Sequence, residues 1–144
     1  MTILRHLSLW SVMKKKPVCT VKSAHGREAA NDQPRWISAL ATQHNTDLIV
    51  SGSHDGFVRI WKAEAKQRSL VQVAQVSLNE VSKGCDEEDD DSEAFVNSIA
   101  IHPSGKALIV GLGQEHRLGR WWRHKRAKNG IAIVSMTPTT DANS

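Results

Sequence analysis

The residues with most capacity for chemistry lie in one short stretch. Arg117, Arg120, Arg123, Lys125, Arg126 and Lys128 place six positive charges within twelve positions, around the pair Trp121-Trp122. Guanidinium groups form paired hydrogen bonds with phosphate or stack on bases, so this composition favours a polyanion; the alternative is a solvated basic surface. Other reactive residue types are present without a reactive pattern. Histidines 6, 25, 44, 54, 102, 116 and 124 contain no HExxH and no cluster with metal-ligand spacing. Cys19 and Cys85 lie too far apart in sequence for a CxxC pair. Gly111-Leu112-Gly113 lacks the further glycines of a phosphate-binding fingerprint. No catalytic residue, metal, cofactor or small-molecule substrate is therefore expected.

The chain that must position these groups has 144 residues, 40% hydrophobic and 24% charged, an ordinary globular balance. No apolar run approaches the ~18–20 residues of a membrane helix. The net charge of +4 conceals a segregation, because seven carboxylates between Asp86 and Glu93 leave the rest of the chain at +11. That acidic run reads as a solvated, disordered loop. Lys14-Lys15-Lys16 before Pro17 reads as a turn whose lysines face water, or as a nuclear localisation patch.

Five Trp with two Phe and no Tyr is the unusual feature, and spacing explains it. A shift of 60 positions lays residues 36 to 61 on 96 to 121 without a gap. Ser38 then meets Ser98, Leu48-Ile49-Val50 meets Leu108-Ile109-Val110, and Trp61 meets Trp121. A shift of 51 brings Trp10 onto Trp61. Within each unit the apolar residues alternate with period two, as strands require. Asn45 to Asp47, Pro103-Ser104-Gly105 and His54-Asp55-Gly56 supply the turns. Further strands are expected over Lys16 to Ser23, Ser69 to Ser77 and Gly130 to Met136, each closing its unit as a fourth strand.

Four short antiparallel strands per ~40–50 residues, closing on a Trp, resemble the WD40 repeat of β-propellers. The match is closest at LIVSGSHDGFVRIW, residues 48 to 61. The resemblance implies a buried network of Asp55 in the tight turn, Trp61 on the third strand, Ser51 or Ser53 on the second, and His25 in the preceding loop. It also implies that Trp10, Trp61 and Trp121 pack between neighbouring blades, with Trp36 in the core at a blade edge.

The expected fold is therefore all-β: about two and a half C-terminal blades of an incomplete, seven-bladed propeller. Residues 1–23 form a partial blade, 24–80 a complete one, 81–94 the acidic loop, 95–136 the last blade and 137–144 a disordered tail. Such a piece is not expected to be a self-sufficient fold.

GQEHRLGRWWR, residues 113 to 123, departs from the middle unit's pattern, with Glu115 in place of Asp55 and Arg120 in place of Ile60. With LSLWSVMKKKP, PRWIS and FVNSIAIHPSGKALIV, it resembles the WD-repeat proteins of the U3 small nucleolar ribonucleoprotein. The resemblance implies a non-enzymatic nucleolar scaffold that binds the box B/C region of U3 RNA beside a kink-turn-binding protein and other processome subunits, in pre-rRNA processing toward 18S rRNA. RNA-contact candidates are Arg117, Arg120, Trp122, Arg123, Lys125, Arg126 and Lys128, with Trp122 free to stack on RNA or to pack between blades. The alternative is a generic WD40 platform for protein–protein contacts, such as an adaptor or a chromatin-associated subunit.

Overall fold

The computed structural model describes residues 5–78, 94–119, 121–125 and 127–136. Among these, nine strands form three antiparallel sheets. The first sheet is a hairpin of β1 (His6–Leu9) and β2 (Cys19–Lys22). The second has four strands in sequence order: β3 (Ala39–Thr42), β4 (Leu48–Gly52), β5 (Phe57–Glu64) and β6 (Ser69–Ser77). The third contains β7 (Phe95–Ile101), β8 (Ala107–Gly113) and β9 (Gly130–Ser135). Asn45, Gly56 and Gly105 all have positive φ, the backbone geometry that tight turns demand and that Asn and Gly tolerate best.

Alternation along β5 explains how the sheets stack. Val58 and Ile60 face one way and join Val50, Val96, Leu108, Val110, Leu112 and Ala132 in the core between the second and third sheets. Trp61 faces the other way, against Leu7, Ala24 and Leu70, with Leu9, Val21 and Ile49 at the margin. The central part of the middle sheet is thus covered on both faces, which is why β5 carries large apolar residues at both sets of alternating positions, Val58 and Ile60 in one and Phe57 and Trp61 in the other. Where β4 meets β7 the approach is too close for a side chain, since a Cβ on Gly52 would overlap Val96. Ser38 Oγ, donating 2.6 Å to the Val96 carbonyl, ties the same seam.

The third sheet departs from the expected pattern. Gly130–Ser135 does not follow a strand carrying Trp121; it pairs directly with β8, Ile109 opposite Ile133 and Val110 opposite Ala132. The stretch between them folds as a loop instead. Its backbone bonds turn inward, with Gly119 N–H donating to His116 O and His124 N–H to Gln114 O, and Gln114 N–H donating to Asn129 Oδ1. The period-two alternation is lost there: His116 and Trp122 turn to Trp36 and His54 of the neighbouring unit, while Leu118 and Trp121 stay exposed.

Two further expectations are corrected. Trp10 follows the last residue of β1 and is 57% exposed, beyond the part of the hairpin where Leu7 meets Trp61. Ala94, placed with the acidic loop, is buried beside Val96. The acidic run Asp86–Glu93 and the tail at 137–144 lie outside the described residues.

Candidate nucleic-acid interface

Two polar constellations occupy the second and third sheets, and they differ in access to solvent. The first is internal. Trp61 Nε1–H on β5 donates to Ser51 Oγ on β4 at 2.8 Å. Ser51 Oγ is 2.8 Å from His25 Nε2, and His25 Nδ1 is 3.0 and 3.2 Å from the two oxygens of Asp55. Indole only donates and carboxylate only accepts, so one ring proton on His25 Nδ1 and the Ser51 hydroxyl pointing at Nε2 give every bond a donor. Asp55 also accepts from Phe57 N–H at 3.2 Å and lies 3.5 Å from Arg59, whose other nitrogen donates to the Ala24 carbonyl.

Serine, histidine and aspartate in a row could suggest a nucleophile relay. Here Ser51, His25 and Asp55 are all at most 1% exposed and the serine oxygen already accepts from Trp61, so no substrate reaches it. The arrangement locks the β4–β5 turn to the loop before β3. Ser53 stands outside this network; its hydroxyl donates 2.6 Å to the Trp36 carbonyl. Trp10 and Trp121, at 57% and 60% exposure, stand outside it too.

The second constellation is the loop between β8 and β9, which sits on a cluster of rings. Trp122 is half-buried, with ring centroids 4.6 Å from His54, 5.4 Å from Phe95, 5.8 Å from Trp36 and 5.8 Å from His124. His116 meets Trp36 edge-on at 5.6 Å and Phe95 at 5.7 Å. Edge-to-face contacts at these distances are favourable for rings. Trp122 thus packs among rings of both units.

The three histidines of this cluster are biased toward the neutral form. Burial lowers the pKa of His54 against the opposing pull of Glu28, 3.1 Å away, and of Asp55, with Arg35 adding to the lowering. Burial also lowers His116, helped by Arg117, and it lowers His124. His116 Nε2 and His124 Nε2 are buried without a hydrogen-bond partner among the described residues. Spacing along the chain assigns these rings no common role, because their contacts join turns of two different sheets and leave no local pattern to detect.

The described cations lie on the same loop. Arg117 is exposed, with Nη1 donating 3.1 Å to the Ser38 carbonyl across the seam between sheets. Arg123, 53% exposed, donates to Gln114 Oε1 at 3.0 Å and lies 3.9 Å from Glu115. Lys125 and Lys128 are exposed. Arg120 and Arg126 lie outside the described residues. The arrangement presents positive charge on a loop that is fastened from below by rings and by backbone bonds, a geometry suited to a phosphate-bearing ligand.

Comparison with known proteins agrees with the repeat and the sheets. The WD domain, G-beta repeat family matches residues 16–62. U3 small nucleolar RNA-interacting protein 2 of Homo sapiens is 38% identical over 132 residues, covering 90% of this chain and 25% of the relative. Ribosomal RNA-processing protein 9 of Saccharomyces cerevisiae is 27% identical over 164 residues, covering 92% of this chain and 26% of the relative. A crystal structure of RRP9 WD40 repeats superposes with a TM-score of 0.75 at 38% identity, covering 91% of this chain and 36% of that one. The chain spans about a quarter of the length of these relatives. It is a run of WD40 β-propeller blades, similar over nine-tenths of its length to the WD-repeat proteins of the U3 small nucleolar ribonucleoprotein.

Proposed function

We propose that the chain contributes blades to a non-enzymatic scaffold of the U3 small nucleolar ribonucleoprotein, in the nucleolus, and that its β8–β9 loop contacts U3 RNA. The observation that carries the RNA contact is the loop itself: Arg117, Arg123, Lys125 and Lys128 stand in solvent on a segment that Trp122, His116 and His124 fasten to the second sheet and to Phe95. A purely solubilising surface has no need of such a base, whereas fixed cations lose less freedom when they meet phosphate. Relatives named for U3 RNA interaction and ribosomal RNA processing support the assembly. The box B/C region as the RNA target, and a kink-turn-binding protein and other processome subunits as neighbours, follow from the resemblance. Arg120 and Arg126 extend the same cationic stretch in sequence.

The test is immunoprecipitation of the full-length protein from cells. U3 RNA enriched above other small nucleolar RNAs is the expected result; U3 at background contradicts the proposal. Reversing Arg123, Lys125 and Lys128 to Glu together should weaken RNA binding and flatten its salt dependence, by roughly 0.7 in log–log slope for each single-strand phosphate left without its cation.

A further inference from the structure

Antiparallel strands turn alternately at the two ends of a sheet. The β4–β5 turn and the β8–β9 loop share one end, where His54 meets Trp122. The β5–β6 and β7–β8 turns leave at the other. So does the tip of the β1–β2 hairpin: the shift of 51 lays residues 14 to 16 on 65 to 67 of the β5–β6 turn, and Leu7, Leu9 and Cys19 share a cluster with Trp61, Ala63 and Leu70. Ala63 N–H donates 2.8 Å to the Asp47 carbonyl, tying the β3–β4 turn to the end of β5. A Cβ on Gly105 would overlap the Gln43 side chain, so the β7–β8 turn lies against the β3–β4 turn. Lys14, Lys15, Lys16, Lys66, Arg68 and Lys106 are thereby gathered at one end, all exposed, with Asp47 and Glu64 as the carboxylates there among the described residues.

The hairpin tip carries more than charge. Val12 and Met13, directly before Lys14, are 103% and 91% exposed. The tip closes on its own backbone, with Lys14 N–H donating to Ser11 O at 3.0 Å and Val18 N–H to Leu9 O at 2.7 Å, which holds the two apolar side chains out in water. Exposed apolar groups rimmed by cations mark a contact surface.

We propose that this end of the blades docks an acidic segment of a protein partner, with Val12 and Met13 entering an apolar contact and the lysines meeting carboxylates. The surface is separate from the β8–β9 loop, and its partner is independent of the RNA contact proposed there. Charge complementarity selects an anion. Protein suits the tip better than nucleic acid, because Val and Met offer no flat face to a base but pack well on apolar side chains. Five of the six cations are lysines, which meet carboxylates as point charges and lack arginine's paired geometry for phosphate.

The test measures binding of the full-length protein to two labelled twelve-residue peptides, four repeats of Glu-Leu-Glu and four of Glu-Ser-Glu, and to a twelve-nucleotide oligouridylate. Salt is kept at about 0.15 M, where charges more than ~8 Å apart are largely screened. The leucine peptide should bind the parent more tightly than the serine peptide. Val12→Ser with Met13→Ser should weaken the leucine peptide roughly tenfold, the effect of withdrawing one apolar side chain from a buried contact, and leave the serine peptide unchanged. Lys14→Glu, Lys15→Glu and Lys16→Glu together should weaken both peptides and leave RNA affinity unchanged. Both variants should melt with the parent, since the substituted side chains are exposed. A parent that binds neither peptide overturns the proposal, as does a serine variant in which the leucine peptide keeps its advantage. A folded glutamate variant that loses RNA affinity, with or without the peptides, assigns this end to nucleic acid and overturns it too. Peptide binding as expected beside a parent that binds no RNA leaves the proposal standing and sinks the RNA reading.

Discussion

The second and third sheets begin alike and diverge at their third strand. In the second, β5 runs from the Asp55-Gly56 turn to Trp61, which packs against Leu7 and Leu70 while its N–H meets Ser51. In the third, the corresponding residues leave the sheet, β9 takes the place beside β8, and Trp121 emerges into solvent. The first two strands of the repeat therefore form in the same way whether the third follows a tight turn, as β5 does, or a long loop, as β9 does. The side chains after the second strand decide whether a repeat makes core or makes surface.

That contrast is sharpest in stability. Trp61→Ala removes a buried indole and leaves Ser51 without its donor, and should cost about 3–5 kcal/mol by chemical denaturation. Trp121→Ala, by the same measurement, should stay within roughly 0.5 kcal/mol, as exposed positions do. Comparable losses at the two sites would break the distinction. Asp55→Ala belongs with Trp61, because it strands buried His25 opposite no acceptor, with an expected loss of about 3–5 kcal/mol.

Trp122→Ala falls between these limits. It opens a void among Trp36, His54 and Phe95 in a half-buried place, and about 2–3 kcal/mol is expected on the scale of core truncations, reduced for its partial exposure. Because the loop rests on this ring, RNA affinity should fall with it, whereas Trp61→Ala should lower stability without selectively altering the loop's charge contacts.

Acid should act on the ring cluster beneath the loop. His54, His116 and His124 have folded-state pKa values below the ordinary 6.5, so the unfolded chain binds protons more readily. Stability is then level above about pH 6.5 and falls as the pH drops below it toward the folded-state values. Melting temperatures between pH 8 and 5 check the direction, and His116→Phe with His124→Phe should flatten the decline. A steeper decline in the double variant would contradict the assignment.

The smallest effect separates two serines. Ser51→Ala removes the link between Trp61 and His25 and should cost about 1–3 kcal/mol, while Ser53→Ala loses the bond to the Trp36 carbonyl and a long 3.5 Å contact with His54 Nδ1 and should cost about 1 kcal/mol.

Strand composition and turn residues carry much of this architecture in plain view. Ser69–Ser77 is delimited by its polar ends, and the Asp55-Gly56 and Ser104-Gly105 steps mark turns that do need positive φ at Gly56 and Gly105. The serine of the network can be narrowed by sequence only to Ser51 or Ser53, since one lies near the end of β4 and the other just beyond it, and their separation turns on where each hydroxyl points. The fate of Trp121 is illegible for a different reason. Aligned against Trp61 it looks like a strand residue, and only the tertiary contacts of His116, Trp122 and His124 with Trp36, His54 and Phe95 pull the chain away from β8. Gly119 is the local trace of that departure, as the position where Trp121 needs a neighbour without a side chain.

Fluorine NMR of protein labelled with 5-fluorotryptophan tests the central contrast most directly. With resonances assigned by single Trp→Phe variants, a soluble gadolinium chelate should broaden the Trp121 signal strongly, alongside Trp10, and leave Trp61 sharp. A Trp121 signal as protected as that of Trp61 would mean that both units bury the repeat's tryptophan alike, and would contradict the account.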